Sequence, residues 1–160
     1  MSNFIINKFK KNILKKKYNN FLSDINYSIN SKETFILVNI ISQLIVGHFN
    51  NKHPKRQLKI VILLPRDIRY LLSIFAIWNL NNIVVNLNIE HSIDFNRKII
   101  RDLKPDLIIS EKFFFREHTN KTLILGKIEA LLKLKIIIYR CFKPNFEIAY
   151  IIFTSGSTGQ

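Results

Sequence analysis

The chain has 160 residues and a formal charge of +14, with 25 Lys and Arg residues against 11 Asp and Glu residues. Its hydrophobic fraction of 48% is enough to form a core and excludes an intrinsically disordered chain, while the length fits one domain or part of one. The single cysteine, Cys141, excludes an internal disulfide and favours a reducing, cytoplasmic location.

The first 20 residues are strongly basic, with six lysines between Lys8 and Lys17 and no acidic residue. Their pattern predicts a basic amphipathic helix over residues 4–18. One interpretation is an arm that binds RNA or a membrane surface. The other is a solvated helix in a chain whose many Ile, Asn and Lys residues reflect A/T-rich codons. We favour the second, and therefore expect neither nucleic acid nor membrane as a partner.

From residue 33 onward, apolar residues recur alternately at helical and at strand spacing. Helices are predicted over residues 33–49, over 68–80 behind Asp67, and from the N-cap Ser92 to residue 103. The predicted strands cover residues 58–64, 83–87, 107–109, 122–125, 136–139 and 149–153. Such alternation predicts an α/β fold with a mostly parallel sheet and flanking helices. The longest apolar stretches are about a dozen residues, too short for a membrane span of about 18.

Several side chains are assigned to the core or the surface by their spacing alone. The helix predicted from Ser92 to residue 103 is expected to bury one face, which comprises Ile93, Ile99, Ile100 and Leu103. The acidic residues Asp94, Asp102 and Asp106 are expected at surface positions. Residues 113–115, three consecutive phenylalanines, could stack on a ligand, but a core or cap cluster is favoured. His48, His53, His91 and His118 show no metal-ligand spacing, and no metal site is predicted.

The most informative segment is the strand at residues 149–153, which opens directly into a loop rich in Ser, Thr and Gly. We call this segment, residues 154–159, the Ser/Thr/Gly loop; it consists of Thr154, Ser155, Gly156, Ser157, Thr158 and Gly159. Glycines let consecutive backbone N–H groups converge on an anion, and the hydroxyls add further donors. A flexible linker has a similar composition, but a linker does not follow a buried strand without a break. The loop lacks the Gly-Lys-Ser/Thr ending of a Walker loop.

Residues 149–159, Ala-Tyr-Ile-Ile-Phe-Thr-Ser-Gly-Ser-Thr-Gly, resemble the phosphate-loop signature of the adenylate-forming (AMP-binding) superfamily. The superfamily includes acyl-CoA synthetases and the adenylation domains of D-alanine ligases and nonribosomal peptide synthetases. A weaker similarity extends upstream to about residue 32. The chain departs from the family pattern at three places. Residues 79–81, Asn-Leu-Asn, stand where the family has a Lys-Ala-Gly turn. Asn86 stands in place of the proline that follows in the family, and Leu37 stands in place of a frequent glutamate.

The resemblance implies the chemistry of the complete enzyme. An acid's carboxylate attacks the α-phosphate of ATP, with Mg as the metal, and the acyl- or aminoacyl-adenylate is captured by a thiol. That thiol belongs to coenzyme A or to the phosphopantetheine arm of a carrier protein. The Ser/Thr/Gly loop would hold the ATP phosphates, its six residues serving as the cofactor-binding set. Catalytic residues cannot be assigned from this chain.

The resemblance also sets the expected domain organisation. A basic segment covers residues 1–31, and a partial AMP-binding domain covers residues 32–160 and ends in the Ser/Thr/Gly loop. We therefore expect an N-terminal fragment of an ATP-dependent ligase that is inactive alone. The alternative is a non-catalytic remnant or a basic interaction module. The apolar strands at 58–64 and 136–139 would be uncovered if their covering layer belongs to the missing part.

Deletion of residues 1–20 tests the role of the basic segment. We expect the truncated chain to bind RNA and anionic vesicles nearly as the full chain does at physiological salt, because exposed charges are screened beyond about 8 Å. Gel shift and vesicle co-sedimentation measure this. Tight binding that persists at that salt and disappears on deletion would instead support the interaction module.

Overall fold

The computed structural model describes residues 8, 11–12, 20–50 and 56–134, and the backbone of residues 150–152. Within the predicted helix over residues 4–18, Lys8, Lys11 and Asn12 are helical, and its other residues lie outside the described part. The predicted strand at 136–139 also lies outside it.

The described elements alternate between helices and strands as predicted. A short hairpin, β1 (Leu22–Ser23) and β2 (Ser28–Ile29), precedes α1 (Ser31–His48), β3 (Lys59–Leu63), α2 (Ile68–Asn79), β4 (Ile83–Asn86) and α3 (Ile93–Leu103). There follow β5 (Leu107–Ser110), a 3₁₀ helix (Arg116–Lys121), β6 (Thr122–Ile124), α4 (Ile128–Leu132) and β7 (Tyr150–Ile152). The predicted N-cap Ser92 is confirmed, since its side chain accepts a hydrogen bond from a first-turn amide of α3. Asp67, which was predicted to favour the start of α2 by its charge, is the N-cap of that helix and accepts from the amides of Arg69 and Tyr70.

Five strands form one sheet in the order β6-β5-β3-β4-β7, and every neighbouring pair is parallel. The predicted mostly parallel sheet is therefore confirmed. The hairpin β1–β2 forms a separate antiparallel pair. Because the five strands run in the same direction, their carboxyl ends all lie at one edge, which we call the carboxyl edge.

Helices cover the sheet on both faces. On the α1/α2 face, helices α1, α2 and α4 pack against alternate strand residues, including Ile60 and Ile62. On the α3 face, Ile99 and Ile100 pack with Val61. The expectation of an uncovered strand at 58–64 is wrong for the described strand, because residues 60–63 are at most 1% exposed.

The buried face of helix α3 differs from the predicted face at one residue, Ile93. Ile99 and Ile100 are buried and Leu103 packs against them, but Ile93 is 55% exposed. Ile93 is the first residue of the helix, close to the sheet edge that the chain has just left. The helical period places it on the buried side of α3, but it lies beyond the end of the core. Of the three phenylalanines at 113–115, Phe115 is buried, Phe114 packs partly against it and Phe113 is exposed.

The turn between α2 and β4 contains Asn81, at the position where the sequence resemblance implies a glycine. Asn81 has a φ of 58° and lies in the left-handed region, which asparagine tolerates better than most residues. The next side chain, Asn82 Oδ1, accepts a hydrogen bond of 3.0 Å from the N–H of Leu58, just before β3. The turn therefore adopts a left-handed residue without glycine and also connects the end of α2 to the start of the central strand.

The side chain of Asp106 connects the start of β5 to the start of β3, at the edge of the sheet opposite the carboxyl edge. Its carboxylate accepts two hydrogen bonds from Arg56, at 2.9 and 2.5 Å, and one of 2.9 Å from the N–H of Lys59. The prediction of a simple surface residue is wrong, since its side chain is only 16% exposed. Burial raises the pKa of Asp106, but the Arg56 and Lys59 contacts outweigh it and hold the pKa below the ordinary 3.8.

Replacement of this carboxylate is expected to destabilise the sheet. The Asp106→Ala variant should lose about 1–3 kcal/mol of unfolding free energy at pH 7, because it removes charge-assisted hydrogen bonds at a partly buried site. Since the folded pKa is depressed, this contribution should be present above pH 3.8 and lost as the pH falls through the lower folded value. Urea unfolding at pH 7 and pH 3 measures both effects. The control is Asp102→Ala, at an exposed position of α3, and equal losses in the two variants would contradict the assignment.

Candidate functional site

The carboxyl edge is the part of this fold in which a ligand site is expected. In open α/β sheets, ligands bind outside the carboxyl ends of the strands, where neighbouring strands lead to opposite faces. Here β3 leads into α2 on one face and its neighbour β4 leads into α3 on the other. Two groups of residues at this edge have to be distinguished: those at the ends of β4 and β7, and those beyond β3, β5 and β6.

Strand β7 lies at one end of the sheet and pairs with β4. The register joins Val84 to Tyr150, Val85 to Ile151 and Asn86 to Ile152. The prediction of a strand at 149–153 is thereby confirmed for Tyr150–Ile152. The six predicted phosphate-binding residues, Thr154, Ser155, Gly156, Ser157, Thr158 and Gly159, follow this strand and lie outside the described residues. Their role remains a prediction.

Asn86 is the last residue of β4 and the register partner of the last described residue of β7. Its Oδ1 atom is buried and has no hydrogen-bond partner in the part of the chain that the structure describes. A second such atom is Oδ1 of Asn96 on α3, whose Nδ2 group donates to the carbonyl oxygen of Asn88 at 2.9 Å. An unsatisfied buried carbonyl oxygen is costly, so each of these two positions needs an explanation.

Beyond β3, β5 and β6, the structure shows a cavity of about 550 Å³ that the sequence analysis missed. Charged side chains dominate its lining, which comprises Asp24, Asn26, Tyr27, Asp67, Arg69, Glu111, Lys127, Ile128 and Glu129. The sequence offers a partial signal, because Asp67 and Glu111 lie within about three residues of the ends of predicted strands. The contribution of the hairpin β1–β2 could not be anticipated, since its two-residue strands have no periodic pattern.

Arg69 is the central charge of this cavity. Its guanidinium donates to Asp67 Oδ2 from Nε at 2.8 Å and from Nη2 at 2.6 Å, and its Nη2 lies 3.4 Å from Glu111 Oε2. Its side chain is 14% exposed. Burial alone would lower the pKa of Arg69, but the Asp67 and Glu111 carboxylates raise it above its ordinary value, so the group stays charged. The ion pairs connect the segment after β3 to the segment after β5.

Asp24 connects the hairpin to the start of α2. One carboxylate oxygen accepts from the N–H groups of Asn26 and Tyr27, each at 2.8 Å, and the other from the N–H of Ile68 at 3.0 Å. Burial raises the pKa of Asp24, but these three amides and the nearby Arg69 hold it below the ordinary 3.8. Asp24, Asp67 and Glu111 therefore already have structural partners. Within the described residues, no three His, Cys, Asp or Glu side chains are placed to hold a metal ion.

Comparison with known families now adds to the geometry. Residues 48–160 match the AMP-binding enzyme family. This chain belongs to the AMP-binding enzyme family. The matched range includes the parallel strands β3 to β7 and the Ser/Thr/Gly loop, so the family assignment and the architecture agree. No curated protein sequence matches the chain.

Solved structures of adenylate-forming enzymes share the fold. O-succinylbenzoate coenzyme A synthetase (MenE) from Bacillus subtilis, in complex with AMP, matches with a TM-score of 0.68 and 17% identity over 94% of this chain and 39% of that one. A long-chain-fatty-acid-CoA ligase (FadD1) from Archaeoglobus fulgidus matches with a TM-score of 0.71 and 15% identity over 96% of this chain and 35% of that one. The N-terminal domain of FACL13 from Mycobacterium tuberculosis matches with a TM-score of 0.74 and 11% identity, over 96% and 42%.

These identities are low, so the structural matches establish the fold alone. The chain spans between about a third and two fifths of the length of these three structures. Its architecture is the incomplete N-terminal part of the adenylate-forming ligase fold. A search of the described helices finds none that is long and apolar enough to cross a membrane.

Removal of the Asp24 carboxylate should loosen the hairpin. We expect Asp24→Ala to accelerate amide exchange at Asn26, Tyr27 and Ile68 by about tenfold or more, because three amides lose a charged acceptor worth about 1–3 kcal/mol. NMR-detected hydrogen exchange at neutral pH measures it. The matched control is Asp94→Ala, whose carboxylate is 91% exposed at the start of α3. Unchanged exchange at all three amides in Asp24→Ala would contradict the assignment.

Proposed function

We propose that this chain is the N-terminal part of an ATP-dependent, AMP-forming ligase that activates a carboxylate, and that the Ser/Thr/Gly loop binds the ATP phosphates. The observation that carries the proposal is the position of β7. The strand that leads into the loop is paired in parallel with β4, so the chain leaves the sheet at the carboxyl edge. In this proposal residues 32–160 form the partial AMP-binding domain and residues 1–31 a basic N-terminal segment.

The composition of the loop suits polyphosphate. The six residues named above contribute backbone N–H groups and four hydroxyls, and two of them are glycines. Such donors stabilise negative charge that develops on a leaving pyrophosphate. The relatives support ATP as the ligand, because the Bacillus subtilis synthetase has been solved with AMP and with ATP and a magnesium ion. Magnesium would arrive with the phosphates and neutralise part of their charge.

The proposed reaction has two steps. The carboxylate of an acid attacks the α-phosphorus of ATP, and pyrophosphate leaves with the electrons of the broken P–O bond. A thiol then attacks the carbonyl carbon of the acyl-adenylate and expels AMP. We propose a carboxylic or amino acid as the substrate, since other relatives were solved with anthranoyl-AMP and with L-aspartate. The acceptor would be coenzyme A or a carrier protein's phosphopantetheine arm, in the cytoplasm.

Residues 1–160 alone are proposed to bind nucleotide without catalysing adenylation. The chain covers between 26% and 42% of the structures that it matches, so most of each related enzyme has no counterpart here. We expect no carboxylate-dependent exchange of pyrophosphate into ATP with the purified chain. Exchange above that of a Gly156→Val variant would contradict this expectation.

Binding of Mg·ATP tests the loop itself. At 150 mM salt, calorimetric titration of the full chain should give saturable binding, and the double substitution Ser155→Ala, Thr158→Ala should weaken it about tenfold, since two hydroxyl donors to a charged ligand are lost. The control is Ser28→Ala, at an exposed hydroxyl of β2. Equal affinity in the loop variant and the wild type would show that ATP binds through general positive charge, as a basic interaction module would.

A further inference from the structure

We propose that the charged cavity beyond β3, β5 and β6 is a binding site for a free basic amino acid, such as lysine or arginine. Arg69 and Lys127 would hold the α-carboxylate of this ligand, and Glu111 its α-ammonium. The cavity lies toward the β6 end of the sheet, whereas the Ser/Thr/Gly loop follows β7 at the other end. The inference therefore goes beyond the proposed function and does not depend on it.

One end of the Arg69 guanidinium is free to bind a ligand. Nε and Nη2 donate to Asp67 and Glu111, but Nη1 donates to no group in the described part of the chain. Nor is Nη1 enclosed in the core, because only Oδ1 of Asn86 and Oδ1 of Asn96 are buried without a partner among the described side chains. The two N–H groups of Nη1 are thus available in the cavity that Arg69 lines.

Glu111 presents an acceptor beside this donor. Its Oε2 lies 3.4 Å from Nη2 of Arg69, whereas Oε1 accepts from none of the described groups, and the side chain is 35% exposed. A free donor and a free acceptor therefore lie on one ion pair. An α-amino acid carries its carboxylate and its ammonium on a single carbon, so its two charged groups are complementary to this pair.

Lys127 adds a second cation to the cavity. The residue directly precedes α4, and its exposed side chain forms no ion pair with a described carboxylate. An ammonium on a flexible stem can adjust to a ligand oxygen. A carboxylate bound to Nη1 of Arg69 would therefore have a second positive charge within the same cavity.

The charge of the lining selects the side chain of the ligand. Four carboxylates line the cavity against two cations, so the lining carries a net charge of −2 in a chain whose total is +14. The two α-groups of an amino acid cancel each other, so only a cationic side chain reduces this excess of negative charge. The cavity volume of about 550 Å³ lies within the usual range for small-molecule sites.

Two of the four carboxylates have only neutral hydrogen-bond partners within the described residues. Asp24 accepts from backbone amides, and Glu129 accepts from the hydroxyl of Tyr27. These contacts orient the carboxylates without neutralising them. The side-chain cation of a bound lysine or arginine would supply the missing positive charge, and the carboxylates that receive it are already ordered.

Three probes test the inference on the full chain without nucleotide. L-lysine carries all three charged groups, L-norleucine lacks the side-chain ammonium, and 1,5-diaminopentane lacks the α-carboxylate. In calorimetric titration at physiological salt we expect saturable binding of L-lysine. We expect each of the other two probes to bind about tenfold or more weakly, since each loses one charge-assisted contact.

Two substitutions assign the binding to the named side chains. Lys127→Gln removes the second cation, and Glu111→Gln removes the charge that receives the α-ammonium. Each should weaken the binding of L-lysine about three- to tenfold. The matched controls are Lys98→Gln and Glu90→Gln, which change the net charge of the chain equally at exposed positions outside the cavity lining. Both controls should keep the affinity of the wild type.

The outcomes separate the cavity site from its alternatives. Binding of 1,5-diaminopentane as tight as that of L-lysine would show that the acidic residues merely attract cations, and equal binding of L-norleucine would exclude a basic side chain. Equal weakening by a variant and its control, or no saturable binding of L-lysine, also overturns the site. If Glu111→Gln does not fold, the Lys127 pair and the three probes still decide.

Failure of this inference is distinguishable from failure of the proposed function, because none of the probes contains phosphate. Loop-dependent binding of Mg·ATP without binding of L-lysine overturns the cavity site alone. Binding of L-lysine that depends on Glu111 and Lys127, without loop-dependent binding of Mg·ATP, supports the cavity site and overturns the proposed function.

Discussion

The fold depends on the parallel pairing of β3 with both of its neighbours. Residues 60–63 are buried on both faces, and the strand is hydrogen-bonded to β4 on one side and to β5 on the other. Every crossover must therefore return the chain to the same end of the sheet, and the loops that follow the strands accumulate at the carboxyl edge. The charged cavity lies at this edge because of this constraint, and the phosphate site is proposed at the same edge for the same reason.

Much of the fold follows from apolar periodicity, and the remainder shows what periodicity omits. The strands predicted at 58–64, 83–87 and 107–109 follow from short apolar runs, and the helices around them from apolar residues that repeat at helical spacing; the structure has strands at 59–63, 83–86 and 107–110. The hairpin, the 3₁₀ helix and α4 were not, since they are short and are held by individual polar contacts such as those of Asp24. The prediction that Asp106 is a simple surface residue is wrong for the same reason, because its role depends on Arg56, 50 positions earlier.

The candidate site likewise has one part that the sequence predicts, the Ser/Thr/Gly loop, and another that depends on the three-dimensional fold, the cavity around Arg69. The sequence predicts the Ser/Thr/Gly loop directly, because glycines and hydroxyls after a strand have a clear chemical use. It gives only a partial indication of the cavity around Arg69, because that cavity needs side chains from the hairpin, α2, α4 and the segment after β5 to come together. Local composition reveals a site made by one segment, whereas a site made by several segments becomes visible only when the topology is known.

The two asparagines at which the sequence departs from the family resemblance differ in physical effect. Asn81, where the resemblance implies a glycine, adopts the left-handed conformation that glycine also favours. Asn86, where the resemblance implies a proline, carries a side-chain acceptor that a proline would lack. The first residue is compatible with the tight turn, while the second adds a polar group that has to be satisfied.

The pairing of β4 with β7 has a consequence for the order in which the molecule folds. Val84 and Tyr150 are register partners although all of α3, β5, β6 and α4 lie between them in the chain. Closing so long a loop is entropically unfavourable until the intervening elements have packed, whereas the register partners Ile60 and Val84 of β3 and β4 are joined by a single crossover through α2. During synthesis the four strands β3 to β6 also leave the ribosome before β7. Strand β7 is therefore expected to add to the edge of a sheet that has already formed.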